Sequence, residues 1–585
     1  MAQYFVGIDL GTTHCAVFYG CHGQSELTQL LIPQLTAPGR VEARPLLPSF
    51  VYTPHASELL DSDRILPWGR SETNVIVGQL ARDLGAKSQG RMVQSAKSWL
   101  CHSNVSADEA ILPVDAVDDI DKMSAKTALE HILFHLVAAW NHAFADAPLT
   151  EQEVVITVPA SFAPAARVNT EQVAQNLGIN ARLMEEPLAA FYAWLADTPD
   201  WQSQLEVGDQ VLVVDIGGGT TDLSLIAVTE NAGELDLERI AVGRHILLGG
   251  DNMDMALTYH VANKLAQQGK TLESWQITGL TQACCQAKES LLDVGGPEEF
   301  SVTVPSRGRS LFNNAITSTL NKDEVVQLVL EGFFPQVTLD DQVQQGPREG
   351  FATLNLDYER DPAITRHILD FLRRSEALPT KVLFNGGVFN AKPIADLLLQ
   401  RLRSLLPADC VLDQLQPAHL DHAVAKGATY YQYTKVNGGL KVKNGLAANY
   451  YIGIASPMPA IPGMAPPVDA LCIAPLGLEE GGDEQVLPNE FSLIVGETVR
   501  FRFFQSNHAQ ADRLGNLINS FGVAALIELP PIELTLAAGE SAPGDMVRVY
   551  LSCQVNDLGI LMLRAHEVNS DRSWQIEFTV RESNG

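Results

Sequence analysis

The feature that most constrains this chain is the run VVDIGGGTTD at residues 213–222. An apolar run leads directly into Asp215, three glycines and two threonines, and Leu223 resumes an apolar pattern after Asp222. This pattern predicts two strands joined by a tight turn. Glycines let backbone N–H groups approach an anion, and carboxylates on either side can hold a cation against it. The run indicates a site for a phosphate and magnesium, with a glycine-rich hairpin that binds nothing as the alternative.

A similar motif occurs a second time near the amino terminus. Residues 6–13 read VGIDLGTT, in which Asp9, a glycine and two threonines again follow an apolar run. Two such turns predict a duplicated α/β fold in which each half presents one hairpin to a shared phosphate. A third glycine turn, LFNGG at residues 383–387, precedes a helical pattern from Pro393 to Leu406, and we expect a nucleoside to bind there.

Six motifs follow one another in an order typical of one family. They are GIDLGTT (7–13), ITVPASF (156–162), EEPLAA (185–190), DIGGGTTDLS (215–224), LGGDNMD (248–254) and AVAKGA (423–428). The chain therefore resembles the seventy-kilodalton heat-shock, DnaK-type chaperone family of the actin-like ATPase superfamily. The resemblance implies an α/β fold: a duplicated actin-like, ribonuclease-H-like ATPase domain with two lobes around a nucleotide cleft at residues 1–433. A linker at 434–449 and a β-rich domain at 450–585, similar to a reduced substrate-binding β-sandwich, would follow.

The resemblance also implies the residues of the site. It gives catalytic roles to Lys97, Asp9, Asp215, Glu186 and Asp222, with Asp9 and Asp215 holding a hydrated Mg²⁺ and K⁺ as a second candidate cation. It implies ATP or ADP binding by Gly11, Thr12, Thr13, Gly217, Gly218, Gly219, Thr220, Gly249, Gly250, Lys288, Gly386, Gly387 and Asp421. Pro159 and Arg167 match a relay between the nucleotide and the substrate domain, although Pro159 can equally be a plain strand terminator.

Three residues that depart from the family pattern concern the nucleoside. Cys285 and Glu289 stand where the family usually has a glutamate and an arginine that grip the adenosine, and Asn390 stands where another arginine is usual. An arginine beside a base supplies a stacking plane and a cation, each worth about 1 kcal/mol. The sequence therefore predicts weakened adenine affinity and base selectivity.

The carboxy-terminal part predicts strands. Alternating patterns cover residues 499–503, 547–555, 560–568 and 574–580, and the turn at 556–559 resembles a hairpin of the family's peptide-binding domain. The family's acidic, leucine-rich linker has no counterpart at residues 435–449, and we expect no helical lid before Gly585. The resemblance implies a client polypeptide as ligand, with a J-domain co-chaperone and a nucleotide exchange factor as candidate partners. A small structural or partner-docking β domain is the alternative.

The stretch from Phe334 to Arg360 has no clear periodicity and no family counterpart, and we expect a solvated loop. With 70 acidic and 40 basic residues the net charge is −30, which disfavours nucleic acid and anionic membrane as partners. The eight cysteines form no C-x-x-C pair, and no signal segment or membrane-spanning run is evident, so we expect reduced thiols and a cytoplasmic location.

Two other functions share parts of this pattern. A sugar-kinase-type phosphotransferase would use the same cleft, although the chaperone-type motifs and the β-rich tail disfavour it. A non-catalytic assembly or switch protein would bind nucleotide with little turnover, and the altered adenosine residues and missing linker favour it. Hydrolysis stimulated by unfolded peptide or by a sugar distinguishes these functions.

Overall fold

In the computed structural model, each of the glycine turns at residues 6–13 and 213–222 joins two antiparallel strands, and each strand pair belongs to a mixed sheet of its own. The structure describes residues 2–70, 73–102, 104–160, 162–231, 233–244, 246–305, 315–344, 356, 358–417, 419–437, 442–443, 445–446, 449–456, 467–479, 481–496, 498–506, 512–520, 522–535, 544–556, 561–568, 570 and 572–578.

Helices of the described residues are α1 Gln79–Gly85, α2 Ala96–Trp99, α3 Ala125–Ala143, α4 Pro164–Asn176, α5 Glu186–Asp197, α6 Gly250–Gln267, α7 Ser274–Leu292, α8 Lys322–Val325, α9 Ile364–Arg374, α10 Lys392–Leu405 and α11 Ala423–Asn437. Strands in the same part of the chain are β1 Tyr4–Leu10, β2 His14–Cys21, β3 Leu27–Gln29, β4 Ile32–Ala37, β5 Arg40–Arg44, β6 Leu47–Pro48, β7 Val51–Tyr52, β8 Ile65–Leu66, β9 Gly69–Arg70, β10 Ile76–Val77, β11 Met92–Val93, β12 Glu153–Val158, β13 Ala181–Glu185, β14 Gln210–Ile216, β15 Thr221–Asn231, β16 Glu234–Val242, β17 Glu299–Pro305, β18 Ala315–Asn321, β19 Lys381–Asn385, β20 Asp413–Leu415, β21 Val442–Lys443, β22 Asn449–Ala455, β23 Val468–Ala474, β24 Gln485–Ile494, β25 Thr498–Ser506, β26 Leu517–Ile518, β27 Ile527–Thr535, β28 Met546–Val555, β29 Leu561–Glu567 and β30 Ser573–Phe578.

The chain divides into two compact units, Met1–Val228 with Gly243–Lys441, and Thr229–Val242 with Val442–Gly585. The first unit contains two sheets with the same strand order. In one, β1 pairs antiparallel with β2 and parallel with β12, which pairs parallel with β13. In the other, β14 pairs antiparallel with β15 and parallel with β19, which pairs parallel with β20. The predicted duplication is therefore visible in the sheet topology.

Helices of the first unit form where the sequence periodicity predicts them. The apolar positions of α3, at spacings of three and four, are buried, and Ser124 caps the helix by accepting a hydrogen bond from the backbone N–H of Thr127. Helix α11 lies against α5 so closely that a Cβ on Gly427 would come within 1.7 Å of the carbonyl oxygen of Ala189. Only glycine permits that approach. Asp421 lies two residues before the start of this helix.

The second unit is almost wholly β within the described residues. One sheet has the order β26-β23-β22-β25-β27 and the other β24-β28-β29-β30. Side chains from both sheets, among them Ile452, Phe503, Leu551 and Leu563, share one buried core. The alternating patterns predicted in the tail thus correspond to β25, β28, β29 and β30, while the predicted turn beyond Asn556 and residues 579–580 lie outside the described residues.

Two boundaries and the packing of one stretch differ from the expectations. Helix α11 continues to Asn437, into the segment expected as linker, and residues 229–242 belong to the second unit although no break in the sequence pattern marks them. The stretch from Phe334 to Arg360 is more than a solvated loop in its described part. Phe334 and Val337 are buried, and the backbone N–H of Glu359 donates to the carbonyl of Leu247 at 3.2 Å. These contacts hold the described ends of the stretch against the first unit.

Candidate functional site

The first glycine turn is held by contacts from two distant segments. Asp9, near the end of β1, accepts a hydrogen bond at 3.1 Å from the hydroxyl of Thr157 on the neighbouring strand β12. Ser49 donates from its backbone N–H to the carbonyl of Thr13 at 2.8 Å and from its hydroxyl to the carbonyl of Gly11 at 2.7 Å. Sequence reasoning assigned no role to Thr157 or Ser49, because nothing in their spacing links them to the turn.

The central turn faces the first one. Asp215 and Asp222 lie opposite each other in the register of β14 and β15, and the N–H of Gly217 closes the turn on the carbonyl of Thr220 at 3.0 Å. A Cβ on Gly218 would lie 2.6 Å from the hydroxyl oxygen of Thr13. A Cβ on Gly219 would likewise meet the side chain of Thr12 at 2.9 Å. The two turns therefore meet so closely that a side chain on either glycine would have to displace the threonine beside it.

The start of α6 completes the glycine cluster. The N–H of Gly250 donates to the carbonyl of Gly217 at 3.0 Å, and a Cβ on Gly249 would come within 2.5 Å of the carbonyl oxygen of Gly218. The side chain of Asn252 accepts from the N–H of Gly249 at 2.9 Å and so fixes this turn. The structure thus brings together glycines from three separate motifs, which the sequence indicated as candidate phosphate contacts.

Lys97 lies on α2 and is buried next to the carboxylates. Its Nζ donates to Glu186 Oε1 at 2.5 Å and to the carbonyl of Thr157 at 3.3 Å, and only 2% of its side chain is exposed. Burial by itself disfavours the ammonium, but the charges of Glu186 and then Asp9 outweigh it, so that the pKa of Lys97 is raised. Thr157 therefore contacts Lys97 and Asp9 at once.

The carboxylates repel one another. Burial, followed by the charge of Glu186, raises the pKa of Asp9 to about 7. Burial and the charges of Glu186, Asp222 and Asp9 likewise raise the pKa of Asp215 well above its usual range, whereas the Asn385 amide opposes that rise. Such an excess of buried negative charge fits a divalent cation, which would relieve the repulsion. Among the described residues, no three histidine, cysteine or carboxylate side chains form a direct metal-ligand group.

The side of the site where we expect the nucleoside is formed by the third glycine turn and Asp421. Gly386 has a φ of +95°, and a Cβ there would come within 2.2 Å of the carbonyl oxygen of Ile216. Asp421 is exposed, accepts a hydrogen bond from Asn390 Nδ2 at 2.6 Å, and lies 4.0 Å from the Cβ position of Gly387. The third glycine turn and Asp421 are therefore neighbours.

Helix α7 also borders this side. Lys288 donates to the carbonyl of Gly250 at 3.3 Å and pairs with Asp254 at 2.8 Å. Burial opposes the charge of Lys288, but Asp254 outweighs it and raises the pKa of that ammonium. Cys285 donates from its thiol to Glu289 at 3.5 Å, so these two departures from the family pattern contact each other.

Pro159 and Arg167, the two residues expected to form a relay, both lie near Glu185. Pro159 follows β12, whose Val158 pairs with Glu185, and Arg167 Nη2 donates to Glu185 Oε1 at 2.9 Å. The side chains of Arg167 and Glu185 are both almost fully buried. Since Glu185 directly precedes Glu186, this buried ion pair connects Arg167 to the partner of Lys97.

Comparison with known proteins decides the family. A family model described as Hsp70 protein matches residues 5–330, more than half of the 585 residues. The chain belongs to the Hsp70 family. The match covers both glycine turns, Lys97 and the start of α6, whereas the turn at 383–387 and Asp421 lie beyond it. Family membership implies the actin-like ATPase fold, and the mixed α/β sheets of the first unit agree with it.

Curated relatives of this Hsp70-family chain include three bacterial proteins named chaperone protein HscA homolog. The one from Delftia acidovorans is 31% identical over 303 residues, which are 48% of this chain and 41% of that protein. Those from Shewanella frigidimarina and Acinetobacter baylyi are 27% and 26% identical over 380 and 294 residues, covering 57% and 49% of this chain and 52% and 42% of theirs. The chain thus spans about half the length of the curated relatives it matches. Among its described residues, no helix is long and apolar enough to cross a membrane.

Proposed function

We propose that this chain is an Hsp70-type molecular chaperone that binds ATP and ADP with Mg²⁺, hydrolyses ATP slowly, and couples this cycle to transient binding of a client polypeptide. The observation that carries the proposal is the meeting of the two glycine turns, at 2.6 Å between the Cβ position of Gly218 and the hydroxyl of Thr13. Opposed turns of this kind suit a phosphate chain held from both sides.

Hydrolysis would depend on positioning and charge. Lys97 would hold the attacking water and offset charge at the γ-phosphate, while Glu186 keeps the Lys97 ammonium in place through the 2.5 Å contact. Asp9 and Asp215 would hold the hydrated cation, and Asp222 would tune the charge of Asp215. When bound, Mg²⁺ supplies charge neutralisation for the phosphate oxygens, and K⁺ is a second candidate for the same surroundings.

The backbone of the glycine turns would bind the phosphates. Thr12, Thr13 and Thr220 would add hydroxyl donors, and Gly11, Gly217, Gly249 and Gly250 would leave room for close backbone approach. Lys288, Gly386, Gly387 and Asp421 would contact the nucleoside. We propose two lobes around this cleft within residues 1–433.

The second unit would bind the client. Its two sheets share one buried core, which suits a reduced peptide-binding β-sandwich at residues 450–585, with the segment that follows Asn437 as the linker. Pro159 and the Arg167–Glu185 pair would relay the state of the nucleotide. A J-domain co-chaperone and an exchange factor are the expected partners. All eight cysteines are unpaired, which suits the reducing cytoplasm.

A second candidate function is a nucleotide-dependent switch with little turnover. Lys288 forms an ion pair with Asp254, and the carboxylate of Glu289 stands where a positive charge would attract the nucleotide. Both features are consistent with a protein that binds nucleotide without hydrolysing it efficiently.

The test is steady-state turnover of magnesium ATP by the purified chain, alone, with an unfolded polypeptide, and with a panel of sugars. The chaperone proposal expects slow turnover that an unfolded polypeptide stimulates. Stimulation by a sugar with formation of a sugar phosphate would replace it with a phosphotransferase. Binding with negligible turnover and a nucleotide-dependent change of oligomeric state would favour the switch.

A further inference from the structure

Asn385 is the last residue of β19 and directly precedes the third glycine turn. Only 1% of this residue is exposed. Neither Nδ2 nor Oδ1 of its amide has a hydrogen-bond partner among the described residues. Buried amides are almost always hydrogen-bonded, because taking one out of water without a partner is unfavourable. The Asn385 amide therefore has a donor and an acceptor that suit a ligand.

The position of Asn385 places this amide beside two carboxylates. Asn385 is the register partner of Asp215 on the parallel strand β14, and Asp215 is paired in turn with Asp222 on β15. Side chains at paired positions of neighbouring strands lie on the same face of a sheet. A Cβ on Gly386, the next residue, would lie 2.7 Å from Asp215 Oδ1, so the backbone here lies against that carboxylate. Three neighbouring strands thus present one amide and two carboxylates in a buried row.

The duplicated topology gives Asn385 a counterpart in the other sheet. Strand β12 lies parallel to β1 as β19 lies parallel to β14, and Thr157 is the register partner of Asp9. The Thr157 hydroxyl donates to Asp9 Oδ1 at 3.1 Å. Asn385 therefore occupies, beside Asp215, the position from which Thr157 holds Asp9. An amide has two N–H donors and an acceptor oxygen, so it can donate to a carboxylate and accept from water at the same time.

We propose that Asn385 is a positioning residue of the cation site. Its Nδ2 donates to the Asp215 carboxylate, and its Oδ1 accepts a hydrogen bond from water of the hydrated cation that Asp9 and Asp215 would hold. This inference rests on the proposed nucleotide site, because that cation is expected to bind together with the nucleotide. It gives the second sheet the same kind of restraint on its aspartate that Thr157 provides in the first.

The test measures ADP binding by calorimetry at a series of Mg²⁺ concentrations, and again with Mg²⁺ removed by a chelator. N385L keeps the branched shape of the side chain without its polar atoms. We expect N385L to raise the Mg²⁺ concentration that half-maximally tightens ADP binding by about ten-fold, as is typical when a partner of a metal ligand is lost. ADP affinity without Mg²⁺ should change by less than about three-fold, since the amide acts on the cation and its ligand. N385T retains a donor and an acceptor, so its Mg²⁺ dependence should stay within about three-fold of that of the wild type.

A matched control is N176L. Asn176 Nδ2 donates to Glu130 Oε1 at 2.6 Å at an exposed position, so this variant removes an amide–carboxylate contact that has no assigned role in the site. Its Mg²⁺ dependence should equal that of the wild type. An unchanged Mg²⁺ dependence in N385L, or an equal shift in N385L and N385T, would overturn the positioning role of Asn385.

A second measurement uses thermal unfolding of the nucleotide-free protein in the presence of a chelator. Replacing an amide that has no partner with an apolar group of similar shape loses no hydrogen bond, so the unfolding midpoint of N385L should equal or exceed that of the wild type. A lower midpoint would show that the amide stabilises the fold, and would overturn the proposal.

Single-turnover hydrolysis of magnesium ATP by the same proteins separates this inference from the proposed function. If the Mg²⁺ dependence shifts in N385L but the wild type does not hydrolyse ATP, the role of Asn385 stands and the ATPase proposal fails. If the wild type hydrolyses ATP and the Mg²⁺ dependence of N385L is unchanged, the ATPase proposal stands and the role of Asn385 is refuted.

Discussion

The buried contact between Lys97 and Glu186 makes the most quantitative prediction about this site. The two side chains are 2% and 15% exposed and meet at 2.5 Å, so neither charge is screened well by water. Removing one partner of a buried pair typically costs about 3–5 kcal/mol, because the other charge is left uncompensated. Asp9 also faces Lys97, so we expect E186Q to lower the free energy of unfolding by about 3 kcal/mol, at the lower end of that range.

The reciprocal variant should cost less. In K97M the remaining carboxylates can take up a proton, since burial already raises the pKa of both Glu186 and Asp9. We therefore expect K97M to lower the free energy of unfolding by about 2 kcal/mol. The loss in the K97M/E186Q double variant should be smaller than the sum of the two single losses by about 2 kcal/mol.

Urea unfolding of the four proteins at neutral pH measures this coupling. The pair Lys381–Asp413 serves as a control, since the Asp413 side chain is 56% exposed and a surface pair contributes about 1 kcal/mol or less. A coupling of Lys97 with Glu186 no larger than that of the control pair, measured with K381M and D413N, would refute the buried ion pair as a stabilising contact.

Three further predictions follow from other contacts. Gly218→Ala should weaken ATP and ADP binding in calorimetry while the chain stays folded, because the new Cβ would displace the Thr13 hydroxyl, 2.6 Å from its position; an unchanged affinity would show that the position of Thr13 does not matter for the nucleotide. Glu289→Arg should tighten ADP binding about five-fold by adding about 1 kcal/mol of stacking and charge, and an unchanged affinity would show that no base binds beside α7. For Asp361, burial tends to raise the pKa, but hydrogen bonds from Arg366 and from backbone N–H groups lower it to about 2. A lowered pKa gives stability that is complete above the ordinary value of 3.8 and is lost as pH falls towards 2. The wild type should therefore lose about 1 kcal/mol more than Asp361→Asn between pH 5 and pH 3, and equal losses in the two proteins would contradict that role.

The fold of the first unit was predictable because its signals are local. An apolar run that enters a glycine turn and resumes afterwards specifies the hairpins β1–β2 and β14–β15, and the three-and-four spacing of α3 specifies a helix. The order of the motifs then predicted which turns converge. Their meeting at Gly218 and Thr13 agrees with that expectation.

Other residues of the site could not be predicted in the same way. Ser49 and Thr157 act through hydrogen bonds to atoms that are remote in the chain, and no spacing in the sequence marks such contacts. The packing of Phe334 was missed because an aperiodic segment predicts a loop even when isolated apolar residues within it are buried.

The measurement that tests the central claim most directly is single-turnover hydrolysis of magnesium ATP by the wild type and by Lys97→Ala, with ADP and ATP binding followed in parallel. We expect that the wild type hydrolyses ATP and that the variant binds both nucleotides but does not hydrolyse ATP. Hydrolysis at the wild-type rate by Lys97→Ala would contradict the catalytic role of Lys97. Failure of the wild type to bind ATP at all would contradict the nucleotide site itself.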